Sequence, residues 1–508
     1  MKMFRAFLFV LFTGLLECHC ICAELAPASN VQSVNSNAAQ SEDRKNVLVN
    51  GQSYLESFKR LPFSSSEIIN DLKSGLPNAK LLFDTARNFI LASRTWLQKS
   101  RWLEPHRGEE YFVRKLVLPK GSQIEFRGDL HGDIHSLVAW LENLVEEGWL
   151  DPNNPFKIIK ENAFLCFLGD YTDRGLYGVE TLFVVMQLYL HNPDKVLIVR
   201  GNHENFFLNF QYGFAKELLE KFGMSSLYLE FHKEGLNLEG YNYSAMLSQS
   251  SLMEIYFYMP VAIFIGSKNE DDADYVLACH GGLNQSHELN KILDDKEAES
   301  LQWIGGKLPE YQWNDFDFLN ENPEKGLSLN IDRGGIGYIL YQKGATDLLR
   351  KSSNRVKTVF RAHQHDFETI SHILKFGNGV YRLWSDEVTK PKQWGQENQS
   401  QNQQWTGNPG DSVEIGLNSI WTFNVAPRTG VYESDVSNFD YDTVGRLKLE
   451  EGFSNWKLFP RKIDALKQIE YEENNQQSYT SSSGLYITAA VLAILCNFTD
   501  IPSQVFGL

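Results

Sequence analysis

Cysteine is scarce in this chain. There are six among 508 residues, and three of them (Cys18, Cys20 and Cys22) crowd into the first 22 positions. That excludes a disulfide-stapled scaffold, which spreads its cysteines through a short chain. Positive charge is also in deficit: 48 Lys and Arg face 64 Asp and Glu, a formal charge of −16. A nucleic-acid or anionic-membrane surface recruits Lys and Arg, so nucleic acid is excluded as the main partner. A small anionic substrate held by a few local cations is not. Long apolar runs are missing too, since neither 6–16 nor 485–498 reaches the ~20 residues of a membrane-spanning helix. No internal repeat is visible. What is present, 43% hydrophobic and 22% charged residues, is a globular composition with room for one large catalytic domain and additions to it.

The two ends carry separate signals. Lys2 and Arg5 precede the apolar run AFLFVLFTGLL (6–16), and small residues follow near CHCICA (18–23). This is the order of a secretory signal peptide, so residues 1–23 are expected to be removed and the protein exported, to the outside, a periplasm or an endomembrane lumen. None of the three early cysteines follows a small residue, which speaks against a bacterial lipoprotein. Cys166, Cys279 and Cys496 then remain, the first two inside apolar runs that predict buried thiols. Residues 24–52 read as a flexible polar linker and 53–110 as a helical N-terminal addition. Residues 439–508 read as an acidic, helical C-terminal extension. Its apolar stretch LYITAAVLAILCNF (485–498) is short for a span and reads as a buried helix or an interfacial segment. Membrane association would run through it.

Between these ends, residues 111–438 alternate strand and helix text. LVLP (116–119) and QIEF (123–126) flank a Lys-Gly-Ser turn and predict a hairpin. LVAWLENLVEEGWL (137–150) and ETLFVVMQLYLH (180–191) have helical periodicity. AFLCFLGD (163–170), KVLIVRGNHE (195–204), VAIFIG (261–266), YVLACHGG (275–282) and VKTVFRAHQ (356–364) are continuous apolar strands. Strands of that kind are buried on both faces, which indicates an α/β core. The Gln/Asn-rich segment 393–410 reads as an exposed insertion loop. The acidic NEDDAD (269–274) reads as a solvated turn.

Polar residues fall where the strands end. GDLHG (128–132), GDYTDRG (169–175), GNHE (201–204), HGGL (280–283) and RAHQ (361–364) each follow an apolar run. In α/β proteins the loops at strand ends converge on one edge of the sheet, so these five segments can meet. Mixed carboxylate, imidazole and amide oxygen suit manganese, iron or zinc better than calcium. The candidate ligands are too many for one site, so two divalent ions are expected. Glycines at 128, 132, 169, 201 and 281 admit tight turns there.

In these five segments the chain resembles the phosphoprotein phosphatases, the metal-dependent Ser/Thr phosphatases of the calcineurin-like metallophosphoesterases. The resemblance runs from about residue 110 to 435. It includes the landmarks YGF (212–214), MPVA (259–262), WND (313–315) and DRG (332–334). It implies a β-sandwich with flanking helices, here with the helical N- and C-terminal additions. It also implies hydrolysis of phosphate monoesters of phosphoserine and phosphothreonine, with phosphotyrosine open, by in-line attack of a hydroxide bridging two metals. By the same resemblance Asp129 and His131 bind the first metal, Asp170 bridges both, and Asn202, His280 and His363 complete the second. Arg174 and Arg333 match the phosphate-clamping arginines, His203 the general acid and Asp173 the carboxylate that orients it. His135 and His365 match no ligand position, and Asp133 stands where most eukaryotic members carry Gln.

One departure bears on specificity. The family's Ser-Ala-Pro-Asn-Tyr-Cys-Gly segment is matched by NVAPRTGVYE (424–433), with Thr429 at the Tyr position and Arg428 before it. An extra Arg near the mouth would favour phosphotyrosine or an acidic substrate. Two other functions compete with a phosphoprotein phosphatase: hydrolysis of a nucleotide or dinucleotide polyphosphate, and an inactive binding module. A nuclease is disfavoured by the acidic charge.

Overall fold

The computed structural model describes residues 47–61, 77–99, 111–238, 242–268, 273–304, 310–317, 322–364, 380–384, 411–423 and 441–464. The expected signal peptide, most of the 24–52 linker, the 393–410 insertion, the 424–433 segment with Arg428, His365 and the 485–498 stretch lie outside them. No helix among the described residues is long and apolar enough to cross a membrane.

Why the strands read as unbroken apolar text is visible in how their residues divide. In β3 (Ala163–Phe167), Phe164 and Cys166 face one apolar cluster, while Ala163, Leu165 and Phe167 face another. In β6 (Ala273–Cys279), Val276 and Ala278 face the cluster shared with β3, and Tyr275, Leu277 and Cys279 face a third. A period of two with both faces buried leaves little room for polar residues. The shared cluster lies between two sheets. Among the described residues one sheet has five strands, β2 (Gln123–Arg127), β3, β4 (Val196–Ile198), β14 (Tyr441–Lys448) and β15 (Lys457–Asp464), in the order β15-β14-β2-β3-β4. The other has seven: β1 (Tyr111–Leu118), β5 (Ala262–Lys268), β6, β7 (Glu299–Ile304), β11 (Val356–Arg361), β12 (Val380–Arg382) and β13 (Ser419–Phe423). Its order is β12-β13-β11-β6-β5-β1-β7. A small third sheet holds β8 (Asp315–Phe316), β9 (Leu327–Leu329) and β10 (Tyr338–Leu340).

Helices cover the outer face of the five-stranded sheet: α1 (Gly51–Phe58), α2 (Ala79–Lys99), α3 (Ile134–Glu146), α4 (Gly178–His191), α5 (Phe206–Tyr212) and α6 (Phe214–Lys233). The sequence reading of a sandwich flanked by helices thus describes the architecture. The described parts of the N-terminal addition, 53–61 and 77–99, are largely helical and are part of this core: Tyr54, Leu55, Phe58, Leu82, Phe83 and Phe89 are buried against α4 and its neighbours.

Three local expectations differ from the structure. The runs 116–119 and 123–126 are not a hairpin, because β1 and β2 belong to different sheets and the Lys-Gly-Ser turn carries the chain across the sandwich. Residues 441–464, read as the start of a helical extension, form β14 and β15. β14 pairs antiparallel with β2, and Val444, Leu447 and Leu458 are buried. The sheet is completed by text that lies beyond the expected domain boundary at 438. Asp274 is not in a solvated turn; it is the second residue of β6, pairs with Lys357 at 3.2 Å and accepts the Phe453 N–H at 2.7 Å.

β2, β3 and β4 run parallel in one sheet, and β6 and β11 run parallel in the other. Each of the five motif segments follows the carboxyl end of one of these strands. The two sets of ends meet at one edge of the sandwich, where the His280 Nδ1–H donates to the Leu168 carbonyl at 2.9 Å across the sheets.

Candidate metal and phosphate centre

The strand-end turns are tied together by their backbones. Leu130 and His131 both donate N–H to the Asp170 carbonyl at 2.9 Å, and Ala362 donates to that of His280 at 3.1 Å. His131, Asp170, Asp173, Arg174 and His363 all have positive φ, between 44° and 71°. Left-handed backbone at non-glycine residues persists only where the surroundings impose it, and it concentrates at functional sites. Gly201 is there for space, since a Cβ on it would lie 2.2 Å from Asp170 Oδ1.

Buried donors face one another at the centre. His280 Nε2 lies 2.9 Å from Asn202 Oδ1, 3.1 Å from Asp170 Oδ2 and 3.1 Å from His363 Nδ1. With its Nδ1–H on the Leu168 carbonyl, the neutral His280 ring presents a lone pair to three other acceptors. His131 repeats the pattern. Its Nδ1–H donates to the Thr172 carbonyl at 3.1 Å, which leaves Nε2 at 3.5 Å from Asp170 Oδ2 and 3.9 Å from Asp129 Oδ2. Two triads have ligand atoms within 4.8 Å of one another: His131, Asp170 and His203, and Asp170, His280 and His363. Asp170 is common to both. Asp129 joins neither triad; its Oδ1 accepts the His363 N–H at 3.2 Å.

The electrostatics report the same shortage of positive charge. Burial lowers the His280 pKa, but the Asp170 and Asp129 carboxylates overcome it and push it up to about 9. Burial raises that of Asp170, and His280 and His203 overcome it and hold the carboxyl well below its usual range. A buried cluster of lone pairs that draws protons this strongly fits divalent cations.

His203 also belongs to a second system. Its Nδ1–H donates to Asp173 Oδ2 at 2.8 Å, which leaves Nε2 as the other ring nitrogen. Asp173 is itself held by the Asn209 amide (2.9 Å) and the Phe214 N–H (3.0 Å), and Asn209 in turn accepts the Tyr256 hydroxyl at 2.9 Å. Arg174 is half-buried, its guanidinium 5.7 Å from the Tyr212 ring centroid, and that ring is 4.9 Å from His203. Arg333 is paired with Asp315, Nε to Oδ2 at 2.6 Å and Nη2 to Oδ1 at 3.2 Å. Asp315 Oδ1 lies 3.4 Å from His363 Nε2, which links Arg333 to the centre. Asp129, His131, Asp170, Asp173, Asn202, His203, His280 and His363 are therefore together, with Arg174 and Arg333 tied to the same cluster. His135 is turned away and bonds the Leu61 carbonyl at 2.7 Å. Asp133 caps α3 through the Ser136 N–H at 2.9 Å.

Two carboxylates had no role in the sequence reading. Asp315 was visible only as part of WND. Glu204, the last residue of GNHE, is buried and accepts the N–H groups of Asp170 (2.8 Å), Tyr171 (2.9 Å) and Gly201 (2.7 Å), fastening two strand-end turns together. Burial, with the Asp170 charge adding and the N–H bonds opposing, pushes its carboxyl up to about 8.

A family model described as calcineurin-like phosphoesterase matches residues 126–367. The serine/threonine-protein phosphatase 4 catalytic subunit of Kluyveromyces lactis is 26% identical over 262 residues, 51% of this chain and 67% of that protein. A PP2A-like serine/threonine-protein phosphatase, PPG1, of Candida albicans is 28% identical over 252 residues, 49% of this chain and 48% of that protein. The chain thus spans two thirds of one of these relatives and about half of the other. A solved Saccharomyces cerevisiae protein serine/threonine phosphatase, described as similar to human phosphatase PP5, covers 80% of this chain with 96% of its own. It does so at 16% identity and a TM-score of 0.45.

Proposed function

We propose, from the match of residues 126–367 to the calcineurin-like phosphoesterase model, that the protein is a two-metal phosphoprotein phosphatase. One observation carries the reading: the buried Asp170 carboxylate lies between the His131 and His280 rings, at 3.5 Å and 3.1 Å, beside an Asp173–His203 pair and two arginines. Asp129, His131 and Asp170 would hold one ion, and Asp170, Asn202, His280 and His363 the other. When bound, two such ions supply Lewis-acid polarisation of the phosphoryl oxygens and lower the pKa of a coordinated water. The rest falls to the chain. Arg174 and Arg333 take the equatorial phosphoryl oxygens, where charge spreads as the ester bond breaks. His203 gives the Nε2 proton to the departing alkoxide, so the side chain leaves as an alcohol while water supplies the fourth oxygen of the phosphate. Asp173, fixed by Asn209 and Phe214, keeps the His203 ring in the orientation for that transfer.

Names of the relatives support phosphoserine and phosphothreonine proteins as the substrate class. Export through residues 1–23 is proposed from the sequence alone, and N-terminal sequencing of secreted material tests it. The decisive experiment for function is metal analysis of the purified protein together with rates on phosphoserine, phosphothreonine and phosphotyrosine peptides and on nucleotides. We expect about two bound divalent ions per chain and turnover of phosphopeptides. Asp170→Asn should lose metal and activity together, while His203→Ala keeps metal and loses about 10²–10⁴-fold in rate. Preferred turnover of nucleotides, or activity indifferent to both substitutions, would overturn the proposal.

A further inference from the structure

The 173–178 loop holds Asp173 and Arg174 at φ 68° in succession. Two consecutive left-handed L residues need support from outside the loop, and much of it comes from one face of α6. Phe214, the first residue of α6, donates N–H to Asp173 Oδ1. Three residues on, Glu217 accepts the N–H groups of Gly178 (3.0 Å) and Val179 (2.9 Å), which open α4. One turn further, Lys221 Nζ donates to the Leu176 carbonyl (3.3 Å), to Glu217 (2.6 Å) and to Glu180, and lies 5.0 Å from the Tyr177 ring centroid. These are consecutive rungs of an i, i+3, i+4 ladder. They hold four of the six residues of the loop through Asp173, Leu176, Tyr177 and Gly178.

The ladder is costly as a piece of core. The side chains of Lys221, Glu180 and Glu217 are only 4%, 7% and 11% exposed. Desolvating each ion costs several kcal/mol, and apolar residues of similar volume generally serve stability as well or better. What an apolar filling could not do is accept two amides at one point and grip a carbonyl at another. The Glu217 carboxylate also sits at the positive end of α4, where the helix dipole favours it.

We propose that Glu217 and Lys221 are positioning residues for the phosphate clamp: they fix the 173–178 loop so that Arg174 and the Asp173–His203 pair stand at a set distance, without touching substrate. The inference rests on the phosphatase reading above. It predicts a signature that general destabilisation does not produce. Glu217→Gln and Lys221→Met in the metal-loaded full chain should raise KM for an aryl phosphate and the inhibition constant of inorganic phosphate in the same ratio, by about tenfold. Lys221→Arg should restore most of the loss. In an Arg174→Ala background the effect of Glu217→Gln on both constants should vanish, because the group being positioned is gone. Unchanged constants in Glu217→Gln, or effects of Glu217→Gln and Arg174→Ala that simply multiply, would overturn the proposal. If the parent turns over no phosphate ester, the functional reading fails instead. Calorimetric titration of inorganic phosphate into the metal-loaded protein then decides the positioning role: Glu217→Gln either weakens binding about tenfold or leaves it unchanged and overturns the inference.

Discussion

The two arginines assigned to one phosphoryl group are mounted in opposite ways. Around Arg174 the backbone bonds reach out to other elements: Arg174 N–H to the Tyr212 carbonyl, Gly175 to His131, Tyr177 to Gly132, and Gly178 and Val179 to Glu217. Around Arg333 they stay at home: Gly334 donates to Ile331, Gly335 to Asn330 and Ile336 to Arg333. Ile331 beside it is 79% exposed. The Arg333 side chain is instead tied by its guanidinium to the Asp315 carboxylate. One clamp is built into the framework and the other is moored at its tip. The first is held through its backbone from several elements at once, the second through its guanidinium.

Glycines in the two loops give the sharpest contrast. A Cβ on Gly175 would sit 2.0 Å from the His131 carbonyl oxygen, and the atoms around it are backbone of another strand-end turn that cannot step aside. Gly175→Ala should therefore displace the metal-side turn, costing upward of about 4 kcal/mol in unfolding free energy and most of the bound metal. Gly334 has φ 68° and nothing within 4 Å of such a Cβ. Gly334→Ala then bears only the left-handed backbone cost, about 1–2 kcal/mol, with metal content unchanged. Denaturant unfolding and metal analysis of the two variants read both differences. Equal losses would mean that the loops are mounted alike.

Asp315→Asn should come next in size. The amide keeps one acceptor but loses the charge that holds both arms of Arg333, and it places N–H groups against donors on Arg333 and Asn330. Because the same carboxylate faces His363 Nε2, a loss of about 10–100-fold in kcat/KM is expected, larger than that of Glu217→Gln. Steady-state kinetics on a phosphopeptide make the measurement. If Glu217→Gln proved the more damaging of the two, the Asp315 mooring of Arg333 would count for less than the framework around Arg174.

How far these features could be read from the sequence depends on whether their partners are near or far in the chain. The candidate ligands were legible because Asp129, Asp170, Asn202 and His280 each follow an apolar strand beside glycine, His363 follows another such strand, and parallel strands bring such ends together. The crossing at 119–122 was not, because a Lys-Gly-Ser turn has the same local chemistry whether the chain returns along its own sheet or passes to the next. Strands β14 and β15 were hidden for a related reason. Their Arg446 and Arg461 look like surface charge, yet both pair with buried Glu125, more than three hundred residues earlier. Glu217 and Lys221 read as an ordinary i, i+4 helix pair; only the packing of α6 on the start of α4 gives them another task.

That packing has a consequence in pH, and it separates the two mountings by titration. Burial, opposed by the Lys221 ammonium and reinforced by the Glu180 charge, pushes the Glu217 carboxyl up to about 7. In the unfolded chain a glutamate titrates near ~4.3. Across that window the folded protein keeps a proton that the unfolded chain has released, so Glu217 makes stability fall as pH rises from ~4.3 to ~7 and adds no slope above. Glu217→Gln carries no such proton. The unfolding free energy of the parent minus that of the variant should therefore decline between pH 5 and 7 and then level off. Denaturant melts of both proteins at half-unit steps give the curve directly. A flat difference, or one that climbs, would mean that Lys221 compensates burial fully. In the expected case the ionised ladder that steadies Arg174 above pH 7 is held at the expense of global stability, a cost consistent with a framework shaped around its site.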